Sequence, residues 1–258
     1  MDFSIMSIKQ IDAYLNGLPV EELEKYMDML KKDTRSSASK LAEKYLMKIN
    51  KYYNELERLQ RLNWYENRLY EKGEKYIAGV DEAGRGPLAG PVFAAAVILP
   101  PNTFIEGIDD SKKISEKKRE QLYPIIISKA ISYRIVSVSE KEIDSMGILK
   151  AVHRAMIEAV TGLEVHPGHV LIDGNEVKDM PIPHTALVKG DSLSISIAAA
   201  SILAKVSRDR YIKQLDALYP QYGFGKHKGY GTREHIEAIK KFGMCPIHRK
   251  SFLTKINM

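Results

Sequence analysis

Three apolar runs that each close on an acid constrain this chain more than any other feature. Tyr76-Ile77-Ala78-Gly79-Val80 leads into Asp81-Glu82, Val170-Leu171-Ile172 into Asp173-Gly174, and Thr185-Ala186-Leu187-Val188-Lys189-Gly190 into Asp191. Short apolar runs bounded by Gly and Asp read as buried strands. If those strands are parallel neighbours, their carboxyl ends open on one crevice, where α/β sheets place ligands. Each acid taken singly is as well explained as a turn former or helix cap. Three of them on separate strands point to a shared site.

The remaining pattern places these strands in an α/β order. A Gly-rich segment, 83–91, separates the first run from a second apolar run at 92–99, and Pro100-Pro101 ends it, which predicts an antiparallel pair. Alternation over 131–138 predicts a third strand, and Ser115 ahead of 118–127 predicts a capped helix between them. Helical residues 140–163, broken at Gly147, lead to the second acid-ended run. After Asp191, Ser192 or Ser194 caps a long helix to about 218. It is apolar on nearly every face over 195–204, so it is expected to be buried, with its basic half at 205–213 surfacing. The expected fold is α/β: three antiparallel strands, then two parallel ones, flanked by helices.

Residues 1–72 carry no strand pattern. Pro19 with Glu21 and Glu22 marks a helix start, and Leu41, Tyr45, Ile49, Tyr52, Leu56 and Leu59 trace one face of an amphipathic helix. Gly73 marks the boundary, giving a helical N-terminal extension over 1–72 and a second domain over 73–258 that ends in a basic helical segment.

Composition excludes several classes. At 258 residues the chain is long enough for a full core, and no apolar run approaches the roughly 20 residues that span a bilayer. The single cysteine, Cys245, forms no intrachain disulfide, which fits a reducing cytoplasm and argues against a Cys-rich zinc site. The net charge is +6, and from Lys205 onward there are 12 Lys or Arg against 4 Asp or Glu. That excess suits a polyanionic partner, or equally a lysine-rich solvated face. No feature calls for a membrane or a dimer, so a monomer is expected.

Clustered carboxylates repel one another unless a cation sits among them, and an oxygen-only donor set favours Mg²⁺ or Mn²⁺ over zinc. Glu82 poses a geometric problem, because consecutive strand side chains point to opposite faces. It joins the cluster only if the strand ends or bulges at Asp81. Beyond it, Gly84 and Gly86 around Arg85 form a loop able to hold a phosphate.

The blocks Gly79 to Pro91, Asp110-Ser111-Lys112, Asp173-Gly174, Val188-Lys189-Gly190-Asp191, Ala199 to Arg210, Lys226 to Thr232 and Pro246-Ile247-His248-Arg249 together resemble the type 2 ribonuclease H family, ribonuclease HII. The resemblance spans about 76–252 and leaves 1–72 as a helical extension of the kind some bacterial members carry. It implies a ribonuclease H-like mixed sheet. It implies an endonuclease that hydrolyses the RNA strand of RNA/DNA hybrids and nicks ribonucleotide-containing duplex DNA on the 5′ side of the ribonucleotide, leaving 3′-hydroxyl and 5′-phosphate ends. Carried over residue by residue, Asp81, Glu82, Asp173 and Asp191 match the catalytic carboxylates that hold two Mg²⁺ or Mn²⁺ ions. Gly84-Arg85-Gly86 matches the element that reads the ribose 2′-hydroxyl, and Tyr230 the tyrosine that packs on the nucleotide at the RNA–DNA junction. Lys112, Lys226, Lys228, Arg249, Lys250, His227 and His248 are candidate phosphate contacts, and Asp209 is either a fifth acid or a helix-surface ion pair. The competing readings are another metal-dependent nuclease on the same fold and a non-catalytic hybrid-binding module.

Overall fold

The computed structural model describes residues 2–254. The chain divides into two compact units, 1–60 and 61–258. The first is helical: α1 (Ile8–Asn16), α2 (Val20–Lys32) and most of α3 (Ser36–Leu62). Ser7 and Gln10 form a reciprocal capping box at the start of α1, satisfying backbone donors that a helix end otherwise leaves orphaned. Ile11, Leu15, Leu23, Met27, Leu30, Tyr45 and Ile49 close a core of their own, and the Tyr45 hydroxyl donates to Asp12 Oδ1 at 2.7 Å.

The second unit opens with α4 (Trp64–Glu71), which continues the helical part of the sequence but packs here, with Tyr65, Leu69 and Tyr70 against Ile77, Leu171, Leu187 and Ile197. Then come β1 (Ile77–Ala83), β2 (Val92–Ile98), α5 (Glu116–Lys129), β3 (Ser132–Val138), α6 (Glu140–Met146), α7 (Ile148–Thr161), β4 (His169–Asp173) and β5 (His184–Leu187). The long α8 (Ile195–Leu218) precedes α9 (Phe224–His227), α10 (Arg233–Phe242) and α11 (Lys250–Leu253). The five strands lie in the order β3-β2-β1-β4-β5. β1, β2 and β3 pair antiparallel, while β4 and β5 run parallel to β1, as the strand pattern predicts.

Period-two alternation divides the sheet into two faces. Ala78, Val80, Val170 and Ile172 meet Val152, Ala155, Met156 and Ala159 of α7. Ile77 and Leu171 turn the other way, onto Ile197 of α8. Gly79 is what lets α8 come close: a Cβ there would stand 2.1 Å from the Ser196 carbonyl carbon and 2.3 Å from the Ile197 nitrogen. Ser194 caps α8 by accepting from Ile197 N at 3.2 Å. The buried Glu66 of α4 accepts from Ser194 Oγ at 2.5 Å and Ser196 N at 3.0 Å, anchoring that helix end under the sheet.

The second half of α8 corrects the sequence expectation. Val206, Arg208, Asp209 and Ile212 are buried rather than surfacing. Ile212 packs into a second core with Leu88, Ala89, Leu215, Tyr222, Phe224, Ile239, Ile247 and Leu253, while Arg210, Tyr211 and Lys213 surface as expected. A helix apolar on all sides for its first turns stays inside when further elements cover its continuation; here α9 to α11 supply the cover.

Candidate active site

Asp81 and Asp173 are level. The last hydrogen-bonded couple between β1 and β4 is Val80 with Ile172, and the two aspartates are the next residues on each strand. Both therefore project from the α8 face. β4 stops at Asp173, whereas β1 continues to Ala83 because its other edge still pairs with β2, Asp81 lying opposite Ala95 and Ala83 opposite Phe93. Asp81 is thus inside its strand, not at the strand end expected from sequence.

Asp191 also departs from that expectation. β5 ends at Leu187, and Asp191 sits on a single 3₁₀ turn (Gly190–Ser192) between β5 and α8. Lys189 enters this turn left-handed at φ 59°, and a Cβ on Gly190 would press on Ile197 Cδ1 at 2.6 Å. The Gly190 N–H donates to Asp173 Oδ1 at 2.7 Å, so the turn that delivers one acid orients another. Ligand oxygens of Asp81, Asp173 and Asp191 all lie within 4.8 Å of one another.

Glu82 is not among them. The strand neither ends nor bulges at Asp81, so Glu82 follows regular alternation toward α7. It lines a cavity of about 140 Å³ with Arg85, His153, Met156 and Asp173. It also borders a wider cleft, of about 330 Å³, where Asp81, Asp173, Gly84, Arg85, Gly86, Lys112 and Tyr230 converge.

The electrostatics are those of a site built for a cation. Burial, then the nearby Glu82 and Asp173, hold the Asp81 carboxyl well above the ordinary range. Burial and Asp173 raise Glu82. Asp191 is pushed up to about 6 by burial, by a hydrogen bond with Asp110 and by Asp173. Lys112 Nζ stands 3.9 Å from Asp191 Oδ2 and is largely exposed. Burial works against its charge, but the surrounding aspartates outweigh that and raise its pKa. Three buried or half-buried carboxylates with only oxygen donors fit a hard divalent cation. Ser201, bonded to Ser111 Oγ at 2.7 Å, braces the floor and hydrogen-bonds Asp81.

Gly84 begins the loop at φ 96°, a conformation that disfavours a side chain, and a Cβ there would meet Arg208 Nε at 2.1 Å. Arg85 and Gly86 are exposed to the cleft. Tyr230 is 44% exposed, and its ring edge flanks Gly86, 3.8 Å from where a Cβ would be. Its loop is tied to the Gly-rich segment by Leu88 N–H to Gly229 O at 2.8 Å.

Several candidate phosphate contacts have other employment. Arg249 is fully buried and donates to the carbonyls of Gly84, Arg85 and Gly90. Arg208, equally buried, donates to Pro91 O, Ala89 O and Lys228 O. His248 is buried; its Nε2 bonds His235 Nε2 at 3.1 Å and its Nδ1 accepts from Cys245 N at 2.9 Å. His235 Nδ1 then donates to Tyr230 O at 2.9 Å. One tautomer satisfies the whole chain, both rings neutral, and burial accordingly depresses His235 to about 4 and lowers His248. His227 is occupied at both nitrogens, by Tyr222 O and Gly229 N. Asp209 pairs with Lys205 at 2.7 Å, a buried ion pair rather than a surface one or a fifth metal acid. Arg210 pairs with Glu120 and Lys213 with Glu116. Much of the basic tail is therefore internal or neutralised, and Lys226, Lys240, Lys241 and Lys250 remain exposed.

Sequence reasoning missed Asp110, Ser201 and Arg208 as parts of the site, and it assigned Arg249 to phosphate rather than to the loop carbonyls it holds. Asp110 and Ser201 reach it from a loop and from the middle of α8, and no periodicity signals either approach.

The chain matches the ribonuclease HII family over residues 78–255 and the ribonuclease HII N-terminal domain over 7–70. It is 51% identical to ribonuclease HII of Acetivibrio thermocellus, with 96% of each chain covered. It is 52% identical to that of Ruminiclostridium cellulolyticum, covering 96% of this chain and 97% of the relative. Among solved structures, the ribonuclease H2 of Pyrococcus horikoshii superposes with a TM-score of 0.60 at 29% identity, over 69% of this chain and 93% of that one. The ribonuclease HII of Archaeoglobus fulgidus, solved in complex with PCNA, gives 0.57 at 25% identity, over 68% and 94%. With family matches over both parts of the chain and half of its residues shared with full-length relatives, the protein belongs to the ribonuclease HII family.

Proposed function

We propose that this chain hydrolyses the RNA strand of RNA/DNA hybrids and nicks duplex DNA on the 5′ side of an embedded ribonucleotide, leaving 3′-hydroxyl and 5′-phosphate ends. The observation that carries this reading is one cleft in which Asp81 and Asp173 meet Gly84, Arg85, Gly86 and Tyr230, with Asp191 completing the acidic triad beside them. Acids alone would suit many nucleases. The loop and tyrosine beside them supply a means of telling ribose from deoxyribose.

The triad holds divalent cations, Mg²⁺ or Mn²⁺, and two are expected during turnover, with Glu82 completing the carboxylate set from the adjoining wall of the cleft. When bound, such ions lower the pKa of the attacking water and stabilise the leaving 3′-oxygen. The chain's own groups do the positioning. Backbone N–H groups of the Gly84-Arg85-Gly86 loop donate to the 2′-hydroxyl, the one local difference between RNA and DNA. Tyr230 packs its ring on the sugar at the junction. Lys112, exposed beside Asp191, contacts the adjacent phosphate. Residues 73–258 form the catalytic domain on this reading and 1–72 a helical extension, with α4 serving the catalytic core; residues 255–258 lie outside the described residues. The chain acts as a monomer in the cytoplasm, where its substrates are made. Among the described residues no helix is long and apolar enough to cross a membrane.

The test is cleavage of a uniform RNA/DNA hybrid and of an all-DNA duplex of the same sequence, each with Mg²⁺ or Mn²⁺ and with chelator. Metal-dependent cutting of the hybrid alone supports the reading. Equal cutting of both duplexes favours a general nuclease, and binding without cutting favours a hybrid-binding module.

A further inference from the structure

The interior of the second unit contains two arginines that touch neither solvent nor, among the described residues, a carboxylate at ion-pair distance. Burying an unpaired guanidinium is costly. Hydrogen bonds to carbonyls offset part of that cost, and burial still drags the Arg249 pKa down to about 9. An apolar side chain of similar size would fill the same space more cheaply. What Arg249 does that an apolar residue would not is hold particular carbonyls.

Those carbonyls belong to the ribose-reading loop. Arg249 Nη2 donates to Gly84 O at 2.6 Å, Nη1 to Arg85 O at 3.0 Å, and Nε to Gly90 O at 2.9 Å. The planar fork spans both ends of the loop at once, a geometry a lysine ammonium does not reproduce. The described peptide bonds are all trans, and in a trans peptide the carbonyl and the following N–H point in opposite directions. Turning Gly84 O and Arg85 O inward onto Arg249 therefore turns the N–H groups of Arg85 and Gly86 outward. Both residues line the cleft shared with Asp81, Asp173 and Tyr230, and among the described residues neither N–H has a protein acceptor.

We infer that Arg249 is a positioning residue for substrate selection: from beneath the loop it aims the Arg85 and Gly86 amides at the sugar, and so sets the preference for a ribonucleotide without touching nucleic acid. Arg208 performs the companion task of joining the loop's exit, through Pro91 O and Ala89 O, to Lys228 O in the Tyr230 loop. This inference rests on the functional reading above.

The experiment compares Arg249→Lys with Leu215→Ala, a core truncation in the same unit chosen to lower Tm to a similar degree. With Ca²⁺ in place of Mg²⁺, binding is measured to a duplex carrying one ribonucleotide and to the same duplex as all DNA. Arg249→Lys is expected to lose about tenfold of the wild-type preference, since a misaimed donor forfeits a hydrogen bond made to the 2′-hydroxyl; Leu215→Ala keeps it. Full preference in Arg249→Lys, or equal loss in both variants, overturns the role. Wild type without any preference contradicts the functional reading instead. Should Arg249→Lys not fold, amide exchange on the full-length wild-type chain decides. The Arg85 and Gly86 amides must exchange freely in the free protein and become protected by the ribonucleotide duplex but not by DNA; protection without nucleic acid overturns the inference.

Discussion

Asp81 and Asp173 stand side by side on parallel strands, one step past the Val80 and Ile172 pair, and the Gly190 N–H fixes the second of them at 2.7 Å. From that relationship comes the first expected outcome. Asp81→Asn or Asp191→Asn removes a charged cation ligand while preserving shape. Cleavage of a ribonucleotide-containing duplex should fall by at least about two orders of magnitude, some 3 kcal/mol of transition-state stabilisation. Binding should be unchanged or tighter, because a charge that repels phosphate has gone. Single-turnover nicking beside equilibrium binding measures both; near-normal turnover in either variant contradicts the assignment.

The raised carboxyls make a stability prediction. An acid whose folded pKa lies above its unfolded value contributes stability that is complete below the unfolded pKa, about 4, and is lost as pH rises through the folded one. For Asp191 the folded value is about 6, and Asp81 and Glu82 are raised as well. In the presence of chelator, Tm should therefore fall as pH climbs from about 4 through 6 and beyond. Adding Mg²⁺ or Mn²⁺ should restore it at the upper end of that range, where cations replace protons among the acids. A metal effect that is the same at low and high pH speaks against this account.

Lys112 offers a different signature. Its side chain is exposed, and the ion pair it makes with Asp191 is long, at 3.9 Å. Lys112→Met should leave Tm unchanged while lowering kcat/KM by roughly tenfold, mostly through KM, the loss of about one charge-assisted contact to phosphate. Steady-state kinetics with a melting curve checks this, and a drop in Tm as large as that of a core variant would mean the lysine is structural.

Gly79 is where the sheet meets α8. Gly79→Ala inserts a methyl against helix backbone that has no freedom to yield, and should cost about 1–3 kcal/mol or more. Gly243→Ala meets no atom within 4 Å and serves as the comparison, its cost confined to its backbone angle. Urea denaturation of both separates crowding from conformational strain.

Much of this architecture was legible in the sequence because it rests on local signals. The acid-ended apolar runs locate β1 and β4, Ser115 and Ser194 cap their helices, and the pattern of runs and helices gives three antiparallel strands followed by two parallel ones. Apolar character that continues through Val188 points to a strand end at Asp191, yet β5 stops at Leu187, and the left-handed Lys189 turns the chain toward α8. Glu82 enters the carboxylate set through the resemblance alone, and the alternation along β1 sends its side chain toward α7. Arg208, Arg249 and His248 look like surface charge when read one residue at a time. Only tertiary packing shows them buried, each satisfied by backbone carbonyls or by another ring, because the segments that bury them are distant in sequence.

The most direct measurement is the position and chemistry of the cut in a duplex DNA carrying one ribonucleotide, labelled at its 5′ end and incubated with full-length protein and Mg²⁺ or Mn²⁺. The account predicts a single nick on the 5′ side of the ribonucleotide, with a 3′-hydroxyl that a polymerase extends, and no product with chelator or with Asp191→Asn. A nick on the 3′ side, a 2′,3′-cyclic phosphate end, or cutting that persists without divalent cation would contradict it.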